Sequence, residues 1–409
     1  MVAPESPAHR DAVGVKQNPL ADLISLPHEQ KVTRGLLHTP GEIAQQPATW
    51  ESTARVFRRR RAELGDFLRQ CGVNASPEQR PIVFMVGAGT SDYVGQAVAP
   101  LLQRHWQCEV IAIPSTDLLT NIDAVLVPER RYLWISFSRS GDSPEGVALL
   151  DRALRDHPEI HHLIVSCNQK GAMVSKAEAK SQALAICLDD AVNDRGLAMT
   201  SSFSNMVVFG QCLAHVASPE QYEPILETLV AAGKSFLPQA AELAVQLAAG
   251  SYRRACFVGT GALKGVARES ALKLLEMTAG KTLTMSESSL GLRHGPMAAL
   301  NPETLLVCFL SRKPSIEPYE RDLLREIGEK RLVGTRVVVG ARAQDRSAAL
   351  AEHWLEREAN LEDQYRPPLD VIFGQLLGLF FSLRWNLPPD NPSPNGAISR
   401  VVQNVNIYH

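Results

Sequence analysis

The chain has 409 residues, 45% hydrophobic and 21% charged, and its 42 basic and 44 acidic side chains leave a formal net charge of −2. Such values exclude wholesale disorder, collagen and coiled-coil architecture, and the length is a prior for two large domains or three small ones. The charge balance offers no broad cationic field for nucleic acid or an anionic membrane, but it leaves room for one small anion held locally.

Residues 1 to about 20, MVAPESPAHRDAVGVKQNPL, are expected to be loose and lack the basic-then-apolar order of a signal peptide. A Pro-Gly turn at Pro40 opens a helical stretch to Arg69; its Arg58 to Arg61 cluster reads as a solvated face or a set of intersubunit ion pairs. Short apolar runs follow at 81–87, 108–114, 131–138, 161–168 and 183–190, separated by helical stretches such as Ser143 to Arg155 and Ser201 to Val216. Runs of this length without polar alternation predict a parallel sheet covered by helices on both faces. A long helix over Ile225 to Ala249 leads into a second half, and the apolar stretch Val371 to Leu383, too short to span a bilayer, predicts a buried helix. The seven cysteines are odd in number, form no CxxC pair and sit mostly in apolar runs, which points to a reducing, cytoplasmic compartment.

The second half repeats the first. Gly259-Thr260-Gly261 follows a hydrophobic strand 172 positions after Gly87-Ala88-Gly89, and Ser311-Arg312 lies 173 positions after Ser138-Arg139. Two matches at nearly one offset indicate a duplicated α/β unit. The expected division is an N-terminal arm (1–44), a first α/β domain (45–225) and a second (226–409).

The copies are chemically unequal. Only the first is rich in hydroxyls where strands hand over to helices, at Gly89-Thr90-Ser91 and at Ser136, Ser138, Ser140 and Ser143. Helix N-termini present unpaired N–H groups, and glycine permits close approach, so two such loops at one sheet edge suit a phosphate. Neither loop is a dinucleotide fingerprint or a Walker loop. Thr200 and Ser201, before another helix, are a third candidate or simply caps. In the second half Glu269, Lys273 and Glu276 stand at i, i+4 and i+7 on one helical face, either as surface ion pairs or as acid–base groups. His294-Gly295-Pro296 reads as a polar turn. No metal-ligand cluster or cofactor motif is found.

The segments MVGAGTSDYVG, SFSRSGDSPE, RGLAMTSSFSN and RESALKLLEMTAGK…SESSLGLRHGP resemble the sugar isomerase (SIS) domain family over about residues 45 to 409. The resemblance is strongest to its double-domain members: the isomerase half of glucosamine-6-phosphate synthase and, more closely, bacterial galactosamine-6-phosphate deaminase/isomerases. It implies two tandem SIS domains, each an α-β-α sandwich, with substrate phosphate held by Gly89, Thr90, Ser91, Ser138, Ser140 and Ser143. It places the enolisation base on Glu276, ring opening on His294 (commonly contributed across a subunit interface) and further sugar-facing polar groups on Glu269 and Lys273. Where synthase relatives carry a substrate-reaching lysine, this chain has SPNGAISRVVQNV, so Ser399 or Arg400 occupies that region. The glutamine-hydrolysing domain of the synthase has no counterpart in this sequence. The implied activity is deaminating isomerisation of D-galactosamine 6-phosphate to D-tagatose 6-phosphate and ammonia by a homodimer or higher homo-oligomer, without cofactor or metal. The alternatives are a plain aldose–ketose isomerase, a glucosamine-6-phosphate deaminase and a non-catalytic sugar-phosphate sensor.

Overall fold

The structure, a computed structural model, describes residues 18–341, 349–357, 360–403 and 405–408. Most of the segment expected to be loose, residues 1–17, lies outside the described residues, and Pro19 already opens a helix. Helices α1 (Pro19–Ser25), α2 (His28–Arg34), α3 (Thr39–Ala44) and α4 (Gln46–Gln70) precede the first sheet. Its chain order is β1 (Ile82–Gly87), α5 (Thr90–Trp106), β2 (Val110–Pro114), α6 (Ser115–Val125), β3 (Tyr132–Ser138), α7 (Pro144–Asp156), β4 (His161–Ser166), α8 (Ala172–Glu178) and β5 (Ala183–Cys187). Helices α9 (Ser201–Ala214) and α10 (Glu223–Ala248) then lead to β6 (Arg254–Val258), α11 (Ala262–Met277), β7 (Leu283–Glu287), β8 (Thr304–Phe309), α12 (Glu317–Glu329), β9 (Thr335–Ala341), β10 (His353–Arg357) and α13 (Pro367–Arg384).

Both sheets are five-stranded and parallel, in the orders β2-β1-β3-β4-β5 and β7-β6-β8-β9-β10. Setting β6 against β1 makes the two orders identical, so the duplication extends to topology. The glycines of the repeated motif do the same backbone work in each half. A Cβ at Gly87 would stand 2.4 Å from the Ser91 carbonyl carbon, and one at Gly259 would stand 2.2 Å from the Leu263 oxygen. Gly89 (φ 54°) and Gly261 (φ 63°) each turn the chain into the following helix through a conformation that disfavours side chains.

A shared helical layer holds the halves together and buries one polar helix face. A Cβ at Gly265 of α11 would lie 2.8 Å from the Ala97 nitrogen of α5; at Gly374 of α13 it would lie 2.2 Å from Ser270 Oγ. Small residues thus pinch α11 between α5 and α13, leaving no space for water around side chains on those faces. Helix α13 covers the stretch expected at Val371 to Leu383 and is buried from Pro367 to Ser382. Its central Gln375 is satisfied by Gln46 Nε2 (2.7 Å) and by donating to the Thr200 carbonyl (3.1 Å). Among the described residues no helix is long and apolar enough to cross a membrane. Three arginines of the α4 cluster are engaged within the chain: Arg58 faces Glu223 at 3.5 Å, Arg60 pairs with Glu63, and Arg61 donates to the Val216 and Ala217 carbonyls, while Arg59 is exposed.

Candidate active site

In the order β2-β1-β3-β4-β5 the chain leaves β1 toward one side of the sheet and β3 toward the other. The crevice beyond the carboxyl ends of β1 and β3 is therefore where this topology opens. A cavity of about 150 Å³ lies there, and its lining includes Ser91, Ser136, Ser138, Ser140, Ser143 and Arg400. The Ser138 to Ser143 loop is held by its own hydroxyls: Gly141 N–H donates to Ser138 Oγ (3.0 Å) and Asp142 N–H to Ser140 Oγ (3.1 Å). Gly141, at φ 70°, makes the turn, and Ser143 caps α7 with no protein partner for its hydroxyl among the described residues.

Gly89 and Thr90, expected in the cradle, do not line the cavity. Gly89 sets the entry into α5. The Thr90 hydroxyl instead accepts from Lys273 Nζ at 3.0 Å and donates to Glu269 Oε1 at 3.3 Å, so it joins the first half's loop to the polar face of α11. That face is not a set of surface ion pairs. Lys273 and Glu269 are fully buried side chains, and Glu276 is 24% exposed. The Lys273 ammonium lies 2.6 Å from Glu276 Oε2 and 3.5 Å from Glu269 Oε1.

Burial pushes the Glu269 carboxyl up to about 8; Lys273 pulls down against this, while Glu276 adds to the rise. Its Oε2 has no hydrogen-bond partner. Burial works to lower the Lys273 pKa, yet the two carboxylates outweigh it and the net shift is upward. Burial thus favours the neutral form of Glu269, while the neighbouring carboxylates favour the charged form of Lys273.

Other expected residues stand elsewhere. Thr200 and Ser201 are fully buried, and Asp194 already occupies the start of α9. It accepts from the Thr200 N–H (2.7 Å), the Ser201 N–H (3.0 Å) and the Ser202 N–H (2.9 Å), so this helix end has no vacancy for a ligand. Ser399 is exposed, its hydroxyl donates to the Val401 carbonyl, and it is not part of the cavity wall. His294 is exposed on a short turn, and among the described residues no hydrogen bond or ion pair joins it to the α11 cluster. Arg139 and Ser115, which the sequence analysis did not single out, also line the cavity. A basic residue inside the Ser-rich SFSRS loop was the available signal for Arg139.

The corresponding position in the second half is filled by the protein. Glu320 accepts from the Ser311 N–H (2.6 Å) and Ser289 Oγ (3.2 Å), and Asp363 accepts from the Arg312 N–H (3.1 Å) and from Ser311 Oγ. Burial raises the Glu320 carboxyl pKa. The loop after β8, counterpart of the serine loop after β3, thus has its donors consumed by internal carboxylates.

No protein-family model matches the chain. A relative from Streptomyces coelicolor, provisionally named a D-galactosamine-6-phosphate deaminase AgaS, is 37% identical over 375 residues, 91% of this chain and 95% of its own. The Escherichia coli D-galactosamine-6-phosphate deaminase AgaS is 34% identical over 382 residues, 90% of this chain and 95% of its own. The crystal structure of tagatose-6-phosphate ketose/aldose isomerase from Escherichia coli superposes with a TM-score of 0.79 at 33% identity, covering 91% of this chain and 96% of that one. With the same paired sheets and this extent of identity, the chain belongs to the AgaS family of double sugar isomerase (SIS) domain proteins.

Proposed function

We propose that the protein is an enzyme that converts D-galactosamine 6-phosphate and water into D-tagatose 6-phosphate and ammonia. The observation that carries this reading is that Thr90, next in the chain to the cavity-lining Ser91, bonds the buried Lys273 and Glu269 of the other half. The cavity is smaller than the few hundred Å³ that enclose a whole ligand, which suits a phosphate group with the sugar extending toward α11. Ser91, Ser138, Ser140 and Ser143 would hold the phosphate and fix the positions of C1 and C2.

In this mechanism His294, supplied by a partner subunit, moves a proton between the ring oxygen and the C1 hydroxyl to open the sugar. Glu276 removes the C2 proton, giving an enolamine, and returns a proton at C1. The C1 carbonyl thereby becomes a hydroxymethyl group and C2 becomes an imine, which water hydrolyses to the ketone with release of ammonia. Lys273, 2.6 Å from Glu276, stabilises the charge developing on O1. A homodimer or larger assembly belongs to the same reading, with His294, exposed on its turn, serving the site of a partner subunit. Free cysteines at all seven positions, six of them buried, support a reducing compartment such as the cytoplasm. The division into domains at 45–225 and 226–409 cuts the chain near the start of α10.

The test is incubation of the purified protein with galactosamine 6-phosphate while ammonia and ketose phosphate are followed together. Absence of both products refutes the assignment. Running glucosamine 6-phosphate and tagatose 6-phosphate in parallel separates the other deaminase and the plain isomerase, which share the enolisation step.

A further inference from the structure

Arg139 sits between the cradle serines Ser138 and Ser140, is 7% exposed, and bonds only to carbonyl oxygens. Its Nη1 donates to Leu197 (2.9 Å) and Gly196 (3.3 Å), and its Nη2 donates to the main-chain carbonyl of Arg400. Arg400 in turn donates from Nε to the Asp194 carbonyl (2.8 Å) and from Nη2 to Asn193 Oδ1 (2.6 Å). These bonds lay residues 400–402 across the wall of the serine-lined cavity, of which Arg139, Arg400, Val401 and Val402 are all part.

Two features are unusual for a purely structural latch. Neither guanidinium has an ion-pair partner among the described residues, although Arg139 is buried and Asp194 and Glu276 lie within electrostatic range of it. A buried cation without a bonded counter-ion is costly, and the buried Arg139 with the half-buried Arg400 beside a cavity lined by hydroxyls leaves a site suited to an anion. A phosphate dianion would supply that charge at the place where the segment docks.

We propose that Arg139 is a positioning residue that straps residues 400–402 across the phosphate cradle, so that docking of this segment and binding of a phosphate dianion reinforce each other. The proposal rests on the reading of the cradle as a phosphate site. Reciprocity follows from linkage: whatever factor the docked segment adds to phosphate affinity, phosphate adds to docking of the segment.

The experiment reads the segment directly. Trypsin cleaves after Arg400, and the rate of cutting at the Arg400–Val401 bond is followed by mass spectrometry with and without inorganic phosphate. In the wild-type protein phosphate should slow this cut about tenfold or more, as expected for loss of a charged hydrogen bond. In Arg139→Gln the cut should be fast and insensitive to phosphate, with KM for the sugar phosphate raised about tenfold and kcat changed far less. Arg139→Lys, which keeps the charge but not the forked reach to both Leu197 and Arg400, should fall between them. If Arg139→Gln does not fold, a chain ending at Gly396 carries the test, and its KM should rise by the same factor.

Phosphate protection that persists in Arg139→Gln, or an unchanged KM in the shortened chain, overturns the proposal. Absence of protection in the wild type, when calorimetry shows phosphate binding, overturns it too. These outcomes are distinct from failure of the assigned reaction: a wild-type protein that turns over none of the sugar phosphates, yet shows Arg139-dependent protection by phosphate, retains the strap and loses only the chemistry.

Discussion

Replacing Glu276 with glutamine separates chemistry from structure at the α11 cluster. The substitution keeps an oxygen for Lys273 Nζ, now 2.6 Å from Glu276 Oε2, but removes the carboxylate charge. A buried ammonium left without a counter-ion would cost several kcal/mol. Here a second carboxyl stands 3.5 Å from the same nitrogen, and Glu276 is one of the charges holding it protonated. Once Glu276 is neutral, Glu269 ionises more readily and takes over as counter-ion. The remaining penalty is one weakened charged hydrogen bond, about 1 kcal/mol. With an unfolding entropy of about 2.1 cal/mol/K per residue, that lowers Tm by only about 1 °C. The reaction, in contrast, loses its base, worth about 10²- to 10⁴-fold, or about 3–5 kcal/mol of barrier. The assay is deuterium exchange at C2 of galactosamine 6-phosphate by NMR, with ammonia release and calorimetric binding measured beside it. Exchange within threefold of wild type would remove Glu276 from the base role. A Tm drop beyond about 5 °C would show that Glu269 does not take over the charge.

Three further outcomes follow from the same geometry. Glu269, moved from an ordinary value of 4.5 to about 8, keeps in the fold a proton that the unfolded chain releases; its contribution to stability is therefore complete below pH 4.5 and is lost as the pH rises toward 8. Thermal melts of wild type and Glu269→Gln should diverge across that window, with the wild type losing ground to the variant, and parallel curves would mean that Glu269 is ionised in the fold. Ser143→Ala removes a hydroxyl without a protein partner, so it should raise KM and the inhibition constant for inorganic phosphate about five- to tenfold while leaving Tm unchanged; an unaltered phosphate constant removes Ser143 from the cradle. If His294 serves the site of a partner, mixing inactive His294→Asn with inactive Glu276→Gln subunits and letting them exchange should restore about a quarter of wild-type activity, because half the dimers are mixed and each has one intact site. No recovery after verified exchange refutes assembly of the site across the interface.

All five strands of the first sheet were legible as short apolar runs, whereas in the second the buried Thr335–Ala341 was not singled out although TRVVVGA carries such a run. Ile82–Gly87 and Tyr132–Ser138 read as continuous apolar runs because helices cover both sides of each. The edge strand Leu283–Glu287 was not singled out, since its half-exposed LTMSE carries neither a run nor a clean alternation. Hydroxyls at strand ends located the serine loop, but sequence spacing says nothing about which hydroxyl meets which partner. Thr90 finds Lys273 and Glu269 more than 170 residues away, and only the close crossing of α5 and α11 at Gly265 and Ala97 brings them together. Thr200 and Ser201 have the composition of an anion-binding helix start. The anion is already present as Asp194, six residues upstream, placed by a turn that has no periodic signature.

The inequality of the two copies has a physical logic once their equivalent positions are compared. In α5 the positions matching Glu269 and Lys273 are Ala97 and Leu101, both fully buried and apolar, so the first half's helix packs where the second half's helix carries charge. In the loops the inequality runs the other way. After β8 the donors are met by Glu320 and Asp363, whereas after β3 neither Ser143 nor the neighbouring Arg139 and Arg400 bonds a carboxylate among the described residues. The donors of the second half's loop are therefore met from within that half. On the proposed reading, the binding free energy of a phosphate at the serine loop is available to order that loop and the segment lying across it. The proposed function thereby places the acid–base groups in one copy of the duplicated fold and the phosphate clamp in the other, and the Thr90 hydroxyl bonds from the first copy to α11 of the second.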